Sequence, residues 1–375
     1  MAVPFYDHGL LYGRRKTEID AAIGRVLAGG NLDWGPEVPA FETEFAAWIG
    51  AAHVATTNSG TAALKVALMA MDIGPGDEVI TVANTDIASA SAIRLVGATP
   101  VFVDVDDRTL TIDLAAMRAA VTPRTRAILP VDLFGHPAAI PDIMAFARAR
   151  RLVVIEDSCL ALGATIEGCA IGTIADVTCF SFAPTKHLGS IGSGGACVTA
   201  DAGLAERMRM IAAYGQSRAR HAAGAAQMPL NHQTLGLNER LDEIQAAVLR
   251  VKLADLAASL AARRRQAALY RDALAGTRVE CPNPSPRVDH AFRNYVVHLD
   301  GRDTMRSALA ARGIPTALSY APPLHLQPVF ADLGMAQGAL PVSEHSGSRL
   351  MGLPIGPHLD DTHIAEICTG IVESL

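Results

Sequence analysis

The chain has 375 residues, of which 50% are hydrophobic and 19% are charged. This composition is typical of a folded globular protein and excludes a disordered or fibrous one. The formal net charge of −6 provides no basic surface to displace counterions from nucleic acid, so nucleic acid is not an expected partner.

The apolar stretches of the chain are all shorter than the roughly 18 residues of a membrane-spanning helix, because Asp, Arg or Pro interrupts each one. The first residues place their basic cluster after their apolar residues, which is not the order of a secretory signal. We therefore expect a cytoplasmic protein with no membrane partner.

Short apolar runs alternate with helical patterns from about residue 50 onward. The runs HVATT, EVITV and TPVFVDV alternate with the helical patterns TAALKVALMAM and IASASAIRLV. The runs AILPVDL, LVVIED, VTCFSF and GACVTA follow, with the helical pattern PDIMAFARARR among them. This alternation predicts an α/β fold in which helices cover several largely parallel strands.

The pattern changes after Arg240, where apolar residues recur at helical spacing and no glycine occurs until Gly276. This spacing predicts one long helix that joins two domains. Beyond it, the Pro-rich CPNPSP, the strand-like YVVHL and the helical MRSALAARG are consistent with a smaller unit. We expect a large domain over residues 1–250 and a smaller C-terminal α+β domain over residues 251–375.

The most informative local pattern is the segment CFSFAPTK, which ends at Lys186. In it, an apolar strand is followed by a turn. A lysine among apolar and glycine residues can be desolvated, and a neutral amine forms a Schiff base with an aldehyde cofactor. The alternative is an exposed turn lysine. Lys16 lies in a charged stretch, and Lys65 and Lys252 fall in helical patterns, so they are weaker candidates.

Asp157 ends the apolar run VVIED, at the strand end where open α/β sheets keep their ligand sites. Its carboxylate could pair with a cationic ring nitrogen, as in pyridoxal-phosphate (PLP) enzymes. A helix N-cap explains the same residue equally well.

Ser59, Gly60 and Thr61 follow a strand and open a helix, so free backbone N–H groups there would suit a phosphate. The segment is neither a Walker loop nor GxGxxG, and capping alone would also explain its hydroxyl residues.

Metal binding is not expected. The six cysteines have no CxxC spacing, which excludes a zinc or redox pair of that kind. The acidic cluster VDVDD lacks the glycine of a calcium loop and is better explained as a turn. His290, His298 and His325 are too irregularly spaced for a zinc motif. Arg218 and Arg220 could bind phosphates, although an exposed charged loop is the default interpretation.

A set of segments in chain order resembles one enzyme family nearly from end to end. These segments are VPFYD, GPEV, SGTAAL, GPGDEVI, GATPVFVDVD, VIED, SFAPTK, GLNERLDEIQAA, YAPPLHLQP and GLPIGP. Together they resemble the DegT/StrS family of PLP-dependent sugar aminotransferases. The resemblance implies fold type I, with an α/β/α large domain built on a mostly parallel mixed sheet.

The resemblance implies that pyridoxal 5′-phosphate is the cofactor, that Lys186 carries it and moves the proton, and that Asp157 pairs with its ring nitrogen. Further implied cofactor-binding residues are Ser59, Gly60, Thr61, Asp86, Leu160 and Ser181. Asn238, in the pattern GxNxR, would reach the phosphate of the neighbouring subunit. The implied active unit is therefore a homodimer with shared active sites.

The implied reaction moves an amino group from L-glutamate or L-glutamine to a keto sugar. The acceptor would be a nucleotide-linked (dTDP, UDP or GDP) 4-keto-6-deoxyhexose or 3-keto sugar, used for antibiotic or polysaccharide amino sugars. Some branches of the family use a keto cyclitol instead. The substrate-binding residues expected here are Tyr320, His325 and Arg240.

The sequence departs from the family pattern at three positions: Asp86 replaces an aromatic residue, Leu160 a glutamine and Ser319 a histidine. These changes keep two alternatives open, a PLP-dependent sugar dehydratase and an inactive regulatory or binding homologue. The dehydratase branch has histidine in place of the lysine. His187 is adjacent, but Lys186 holds the family position, five residues after Ser181, so transamination is favoured.

Overall fold

The structure is a computed structural model that describes residues 3–217 and 232–375. The strands of the described residues are β1 (His53–Thr57), β2 (Glu78–Val82), β3 (Thr99–Val103), β4 (Thr125–Ile128), β5 (Val153–Asp157), β6 (Thr165–Ile166), β7 (Cys169–Ala170), β8 (Val177–Ser181), β9 (Gly195–Thr199), β10 (Val288–Asp289), β11 (Tyr295–His298) and β12 (Leu350–Leu353).

The α-helices of the described residues are α1 (His8–Arg14), α2 (Lys16–Gly29), α3 (Glu37–Ile49), α4 (Gly60–Ala70), α5 (Ile87–Leu95), α6 (Leu114–Ala119), α7 (Ile140–Arg150), α8 (Ala202–Ala212), α9 (Glu243–Leu253), α10 (Leu256–Ala273), α11 (Arg302–Ala311), α12 (Pro341–Arg349) and α13 (Asp361–Val372). Short 3-10 helices occupy Leu133–Gly135, Leu324–Leu326 and Pro328–Leu333. Within the described ranges, no helix combines the length and apolar character needed to cross a membrane.

The large sheet has seven strands in the order β1-β9-β8-β5-β4-β2-β3. Neighbours from β8 to β3 run parallel, and β9 runs antiparallel to both β1 and β8. Every residue of β2 is buried, as expected for a strand whose two faces are both covered. The predicted α/β fold with a mostly parallel mixed sheet is confirmed.

The predicted long helix after Arg240 is wrong in its continuity, because the chain forms two helices, α9 and α10. The break falls at Ala254 and Asp255, where the Asp255 carboxylate accepts a hydrogen bond from Arg15 Nε at 2.7 Å. A contact with the N-terminal segment therefore accompanies the break, which helical periodicity does not reveal.

Helix α10 contacts two different hydrophobic cores along its length. Its first turns place Leu256 and Leu260 against the core on the α3 side of the large sheet. Its last turns place Ala267 and Tyr270 in the core around β11 and β12. The two ends of α10 thus pack in different hydrophobic cores. The predicted domain boundary between residues 250 and 251 stays a prediction.

Candidate active site

Three chain segments converge at the carboxyl edge of the large sheet. Asp157 is the last residue of β5, Ser181 is the last residue of β8, and Gly60 is the first residue of α4. A Cβ added at Gly60 would lie 2.8 Å from the Ser181 Cβ and 2.9 Å from the Cys159 Sγ. These segments therefore meet where parallel α/β sheets hold their ligands.

A substitution at Gly60 would test how tightly the start of α4 packs against Ser181 and Cys159. We expect Gly60→Ala to reduce the free energy of unfolding by about 1–3 kcal/mol, because its methyl group would overlap Ser181 and Cys159. Urea unfolding measures this loss, and titration with PLP measures the accompanying loss of cofactor affinity.

Gly24→Ala is the matched control. Gly24 lies inside α2, and a Cβ there would meet nothing within 4 Å. Alanine at this site should be neutral or stabilising by up to about 1 kcal/mol, because it lowers backbone entropy in the unfolded chain. Equal stabilities and PLP affinities of the two variants would contradict the close packing at Gly60.

Asp157 is buried, and its carboxylate is held from two sides. Its Oδ2 accepts a hydrogen bond from Ser89 Oγ at 2.6 Å, and its Oδ1 accepts one from the backbone N–H of Cys159 at 3.2 Å. The Cys159 contact lies within a turn, and no helix begins there, so the helix N-cap interpretation of Asp157 is wrong; Ser89 comes from α5. A carboxylate offers about four lone-pair sites, so Asp157 retains capacity for another donor.

Lys186 follows β8 in a turn, where its backbone N–H donates to the Ala183 carbonyl at 2.9 Å. Its ammonium group forms no hydrogen bond or ion pair with any residue that the structure describes. Burial raises the pKa of the Cys159 thiol, Asp157 raises it further, and the Lys186 charge opposes both. Lys186 and Asp157 therefore both act electrostatically on Cys159.

The remaining three lysines already have polar partners. Lys16 pairs with Asp20, Lys65 pairs with Glu239, and Lys252 Nζ donates to the Gly189 carbonyl at 2.6 Å. Lys186 is thus the one of the four lysines whose side chain has no polar partner among the described residues.

Tyr320 belongs to the same neighbourhood. Burial raises the pKa of its hydroxyl, the carboxylates of Asp86 and Asp157 raise it further, and the Arg293 charge opposes them. Its ring lies against that of Phe134, with the ring centroids 5.7 Å apart. The structure therefore brings Tyr320 and Asp86 close to Asp157.

Two family departures have clear structural surroundings. Asp86 is the N-cap of α5, and its side chain accepts a hydrogen bond from the Ala88 backbone N–H at 2.9 Å. Leu160 is buried in the main hydrophobic core. Asp86 thus has a structural role that the sequence pattern did not indicate.

The segment around Asn238 lies beside the start of α4. The backbone N–H of Asn58 donates to the Glu239 carbonyl at 2.7 Å. Ser59 caps α4 by accepting from the Ala62 backbone N–H at 3.1 Å, which confirms the capping interpretation. Thr61 lies in the first turn of α4, and Asn238 is exposed. These residues are therefore neighbours within one chain.

Arg240 and His325 each have another partner. Arg240 Nη2 donates to the Asp33 carboxylate at 2.9 Å, and its guanidinium lies 5.0 Å from the Trp34 ring centroid. The His325 side chain is fully buried and its Nε2 lies 3.0 Å from Glu344 Oε1. No hydrogen bond or ion pair among the described residues joins His325 to Lys186. Arg218 and Arg220 lie outside the described residues.

A buried pair of carboxyl groups lies behind Asp157. Asp132 accepts hydrogen bonds from Ser158 Oγ and from the Ala138 backbone N–H. Glu156 Oε2 accepts from Thr178 Oγ1 at 2.6 Å, and its Oε1 has no partner among the described residues. Burial raises the pKa of Asp132 to about 7, and burial together with the Asp132 charge raises that of Glu156.

This pair predicts a stability change with pH. A carboxyl group whose pKa is raised by folding makes folding less favourable as the pH rises above its unfolded pKa. Glu156→Gln replaces it with a neutral group of similar shape. From about pH 5 to about pH 9, we expect the free energy of unfolding of this variant to gain about 1 kcal/mol or more relative to wild type.

Urea unfolding across this pH range measures the effect, with Glu366→Gln as the control on an exposed glutamate. The control should follow the wild-type curve. A Glu156→Gln curve parallel to wild type would contradict the raised pKa.

Comparisons with known proteins agree along the whole chain. A family model described as the DegT/DnrJ/EryC1/StrS aminotransferase family matches residues 14–372. An Acidithiobacillus ferrooxidans protein named UDP-N-acetyl-3-dehydro-alpha-D-glucosamine 3-aminotransferase is 42% identical over 374 residues, 100% of this chain and 98% of that protein. A Streptomyces venezuelae protein named dTDP-3-amino-3,4,6-trideoxy-alpha-D-glucose transaminase is 42% identical, covering 99% of this chain and 96% of its own. The crystal structure of S. venezuelae DesV matches with a TM-score of 0.93 and 42% identity, covering 99% of this chain and 98% of that one.

Proposed function

The chain belongs to the DegT/DnrJ/EryC1/StrS aminotransferase family, and on this premise we propose that it transfers an amino group from L-glutamate or L-glutamine to a nucleotide-linked keto sugar. The two relatives above carry names that refer to amination at carbon 3 of a UDP-linked and a dTDP-linked sugar. A 3-keto sugar linked to UDP or dTDP is therefore the first acceptor to test.

Pyridoxal 5′-phosphate is the cofactor of this family's aminotransferases. When bound, it supplies an aldehyde that accepts the amino group and a ring that stabilises negative charge on the reacting carbon. The residues present fit it: the close approach of Gly60 to Ser181 brings the start of α4 to the end of β8, Asp157 has free lone pairs, and the Lys186 ammonium has no partner among the described residues.

Each candidate residue then has a proposed role. Lys186 holds the cofactor and moves a proton at the reacting carbon, because its amine is free for both tasks. Asp157 holds the proton of the ring nitrogen through its carboxylate. The phosphate-binding residues are proposed to lie at the start of α4 and the end of β8; they are Ser59, Gly60, Thr61 and Ser181. Helix N-terminal N–H groups favour an anion there.

The observation that carries this proposal is the position of the unpaired lysine. Among the four lysines, Lys186 is the one whose charge acts on Cys159, beside the carboxylate of Asp157. If Lys186 were an ordinary exposed turn lysine, we would not expect it to lie near Cys159 and Asp157.

Four further residues are proposed to contact the substrate or the cofactor from different sides of the site. Tyr320 lies within electrostatic reach of Asp86 and Asp157, which supports its place in the acceptor pocket. Asp86 and Leu160 would contact the cofactor from the start of α5 and from the segment after β5. Arg240 is held by Asp33 and is proposed to contact substrate from that position. For His325, which pairs with Glu344, substrate binding stays a prediction.

A homodimer is also proposed, with Asn238 reaching the phosphate in the neighbouring subunit. The exposed apolar side chains of Leu235 and Tyr214 near Asn238 support an interface at this face. Light scattering should give the mass of two chains, and a monomer would contradict this assembly. The cytoplasmic location stays a prediction.

The decisive experiment follows the labelled amino nitrogen of L-glutamate or L-glutamine. We expect the donor to change the visible absorption of the PLP-loaded protein, and the label then to appear in the UDP- or dTDP-linked sugar by mass spectrometry. A deoxygenated sugar formed without donor consumption would instead support the dehydratase. A cofactor band that no donor alters would support the inactive homologue.

A further inference from the structure

Two arginine side chains, Arg263 and Arg293, are buried next to each other, with 5% and 4% of their surfaces exposed. Burial and the neighbouring Arg293 charge lower the pKa of Arg263. No carboxylate in residues 3–217 or 232–375 forms an ion pair with either side chain. Buried cations without a counter-ion are costly, so this pair suits an anionic ligand.

The two arginines differ in how their N–H groups are satisfied. Arg263 Nη1 donates to the backbone carbonyls of Phe292, Arg293 and Ile355 at 3.1–3.2 Å. Arg293 Nη1 and Nη2 both donate to one neutral oxygen, the Tyr6 hydroxyl, each at 3.2 Å. Arg293 Nε is buried and has no partner among the described residues. Arg263 Nε is likewise buried without a partner among these residues, but Arg263 has three carbonyl acceptors and Arg293 only the Tyr6 hydroxyl, so Arg293 has more capacity for a ligand.

Arg293 also lies within electrostatic reach of the proposed active site. Burial lowers the pKa of His187, the residue after Lys186, and the charges of Arg263 and Arg293 lower it further. The Arg293 charge acts on the Tyr320 hydroxyl as well. His187 Nε2 lies 3.0 Å from the carbonyl oxygen of Ala291, two residues before Arg293, so an anion bound by Arg293 would lie near the turn that carries Lys186.

The loop that carries Arg293 is fixed to the large domain. The backbone N–H of Ala291 donates to the Gly135 carbonyl at 2.9 Å, and that of Asn294 donates to the Phe134 carbonyl at 3.2 Å. Phe292, just before Arg293, has a left-handed backbone with a φ of 47°. Such strain in a non-glycine residue persists where the surroundings enforce it, often at ligand sites.

We propose that the Arg293 guanidinium binds the α-carboxylate of the amino donor, an inference that rests on the proposed aminotransferase function. A planar guanidinium fork matches the two oxygens of a carboxylate. The α-carboxylate is bonded to the carbon at which Lys186 moves the proton, so its binding group must lie close to Lys186. The phosphates of a nucleotide-linked sugar are separated from carbon 3 by part of the sugar ring, which places them farther away.

Arg293→Gln tests this assignment through ligand binding rather than turnover. The probes are α-methyl-L-glutamate, which has the carboxylates but no α-proton, and butylamine, which has an amino group and no carboxylate. We expect the Kd of α-methyl-L-glutamate, read from the visible absorption of the PLP-loaded protein, to rise about tenfold to a hundredfold. The Kd of butylamine should stay unchanged, and Arg293→Lys should give an intermediate loss.

Arg265→Gln is the matched control, since Arg265 is exposed and pairs with Asp361. An equal rise in Kd for both probes would overturn the proposal, because it would reveal a general distortion. Unchanged binding of α-methyl-L-glutamate with weakened binding of UDP would overturn it in favour of a phosphate site. If Arg293→Gln does not fold, Arg293→Ala and Arg293→Lys replace it. Wild-type affinity of Arg293→Ala for α-methyl-L-glutamate would overturn the proposal. A tenfold loss of butylamine affinity in Arg293→Lys would overturn it as well. Wild-type protein that reacts with butylamine but with no amino donor contradicts the proposed function itself.

Discussion

Replacing Lys186 with alanine should reduce aminotransferase turnover by at least about a thousandfold, because a positioned proton-transfer group contributes roughly 10²–10⁴ and the covalent link is lost as well. The yellow absorption band of the lysine-linked cofactor should disappear, while added PLP can still bind without a covalent bond. Absorption spectra and a label-transfer assay measure the two effects separately.

Lys16→Ala is the control for this prediction, since Lys16 is exposed and pairs with Asp20. Its spectrum and turnover should match those of the wild type. Retained turnover in Lys186→Ala would show that another group moves the proton. None of the other three lysines lacks a polar partner in the described structure.

Replacing Asp157 with asparagine should reduce turnover by about tenfold to a hundredfold or more, because a hydrogen bond to a charged group is replaced by one to a neutral amide. The amide oxygen can still accept the hydrogen bond from Ser89, so the fold should persist. Rapid-mixing kinetics of the donor half-reaction measure the loss, and urea unfolding tests the stability.

Asp107→Asn serves as the control, because Asp107 is an exposed acid beyond the end of β3. It should have wild-type kinetics. If Asp157→Asn reacted with the donor at the wild-type rate, the proposed pairing of Asp157 with the ring nitrogen would be wrong, and its role would be limited to its contacts with Ser89 and Cys159.

The strands of the large sheet and β11 were predictable because each contains part of a compact apolar run between turn residues, whereas β6, β7, β10 and β12 were not predicted. HVATT and EVITV coincide with β1 and β2, residue for residue. The order of those strands in the sheet was not predicted, since β9 inserts between β1 and β8 and reverses direction there. Such insertion depends on long-range pairing, and local periodicity carries no information about it.

The candidate site was predictable where a residue ends a strand or opens a helix, as Asp157, Ser181 and Gly60 do. Ser89 was missed because nothing in IASASA distinguishes it from its neighbours until the fold brings its hydroxyl to Asp157. Arg293 was missed for a related reason. It is one of 28 arginines, and only the folded chain shows that it is buried without an acid.

The residue at position 86 affects both the proposed cofactor pocket and the stability of α5. Asp86 begins α5 by accepting the Ala88 backbone N–H, a contact worth roughly 0.5–2 kcal/mol. The aromatic residue usual in the family cannot make this contact, so a change to it would weaken the start of α5 while adding a surface for ring stacking. Selection at this position therefore acts on two properties at once. An exchange between the two residue types would therefore change ring stacking and the stability of α5 together.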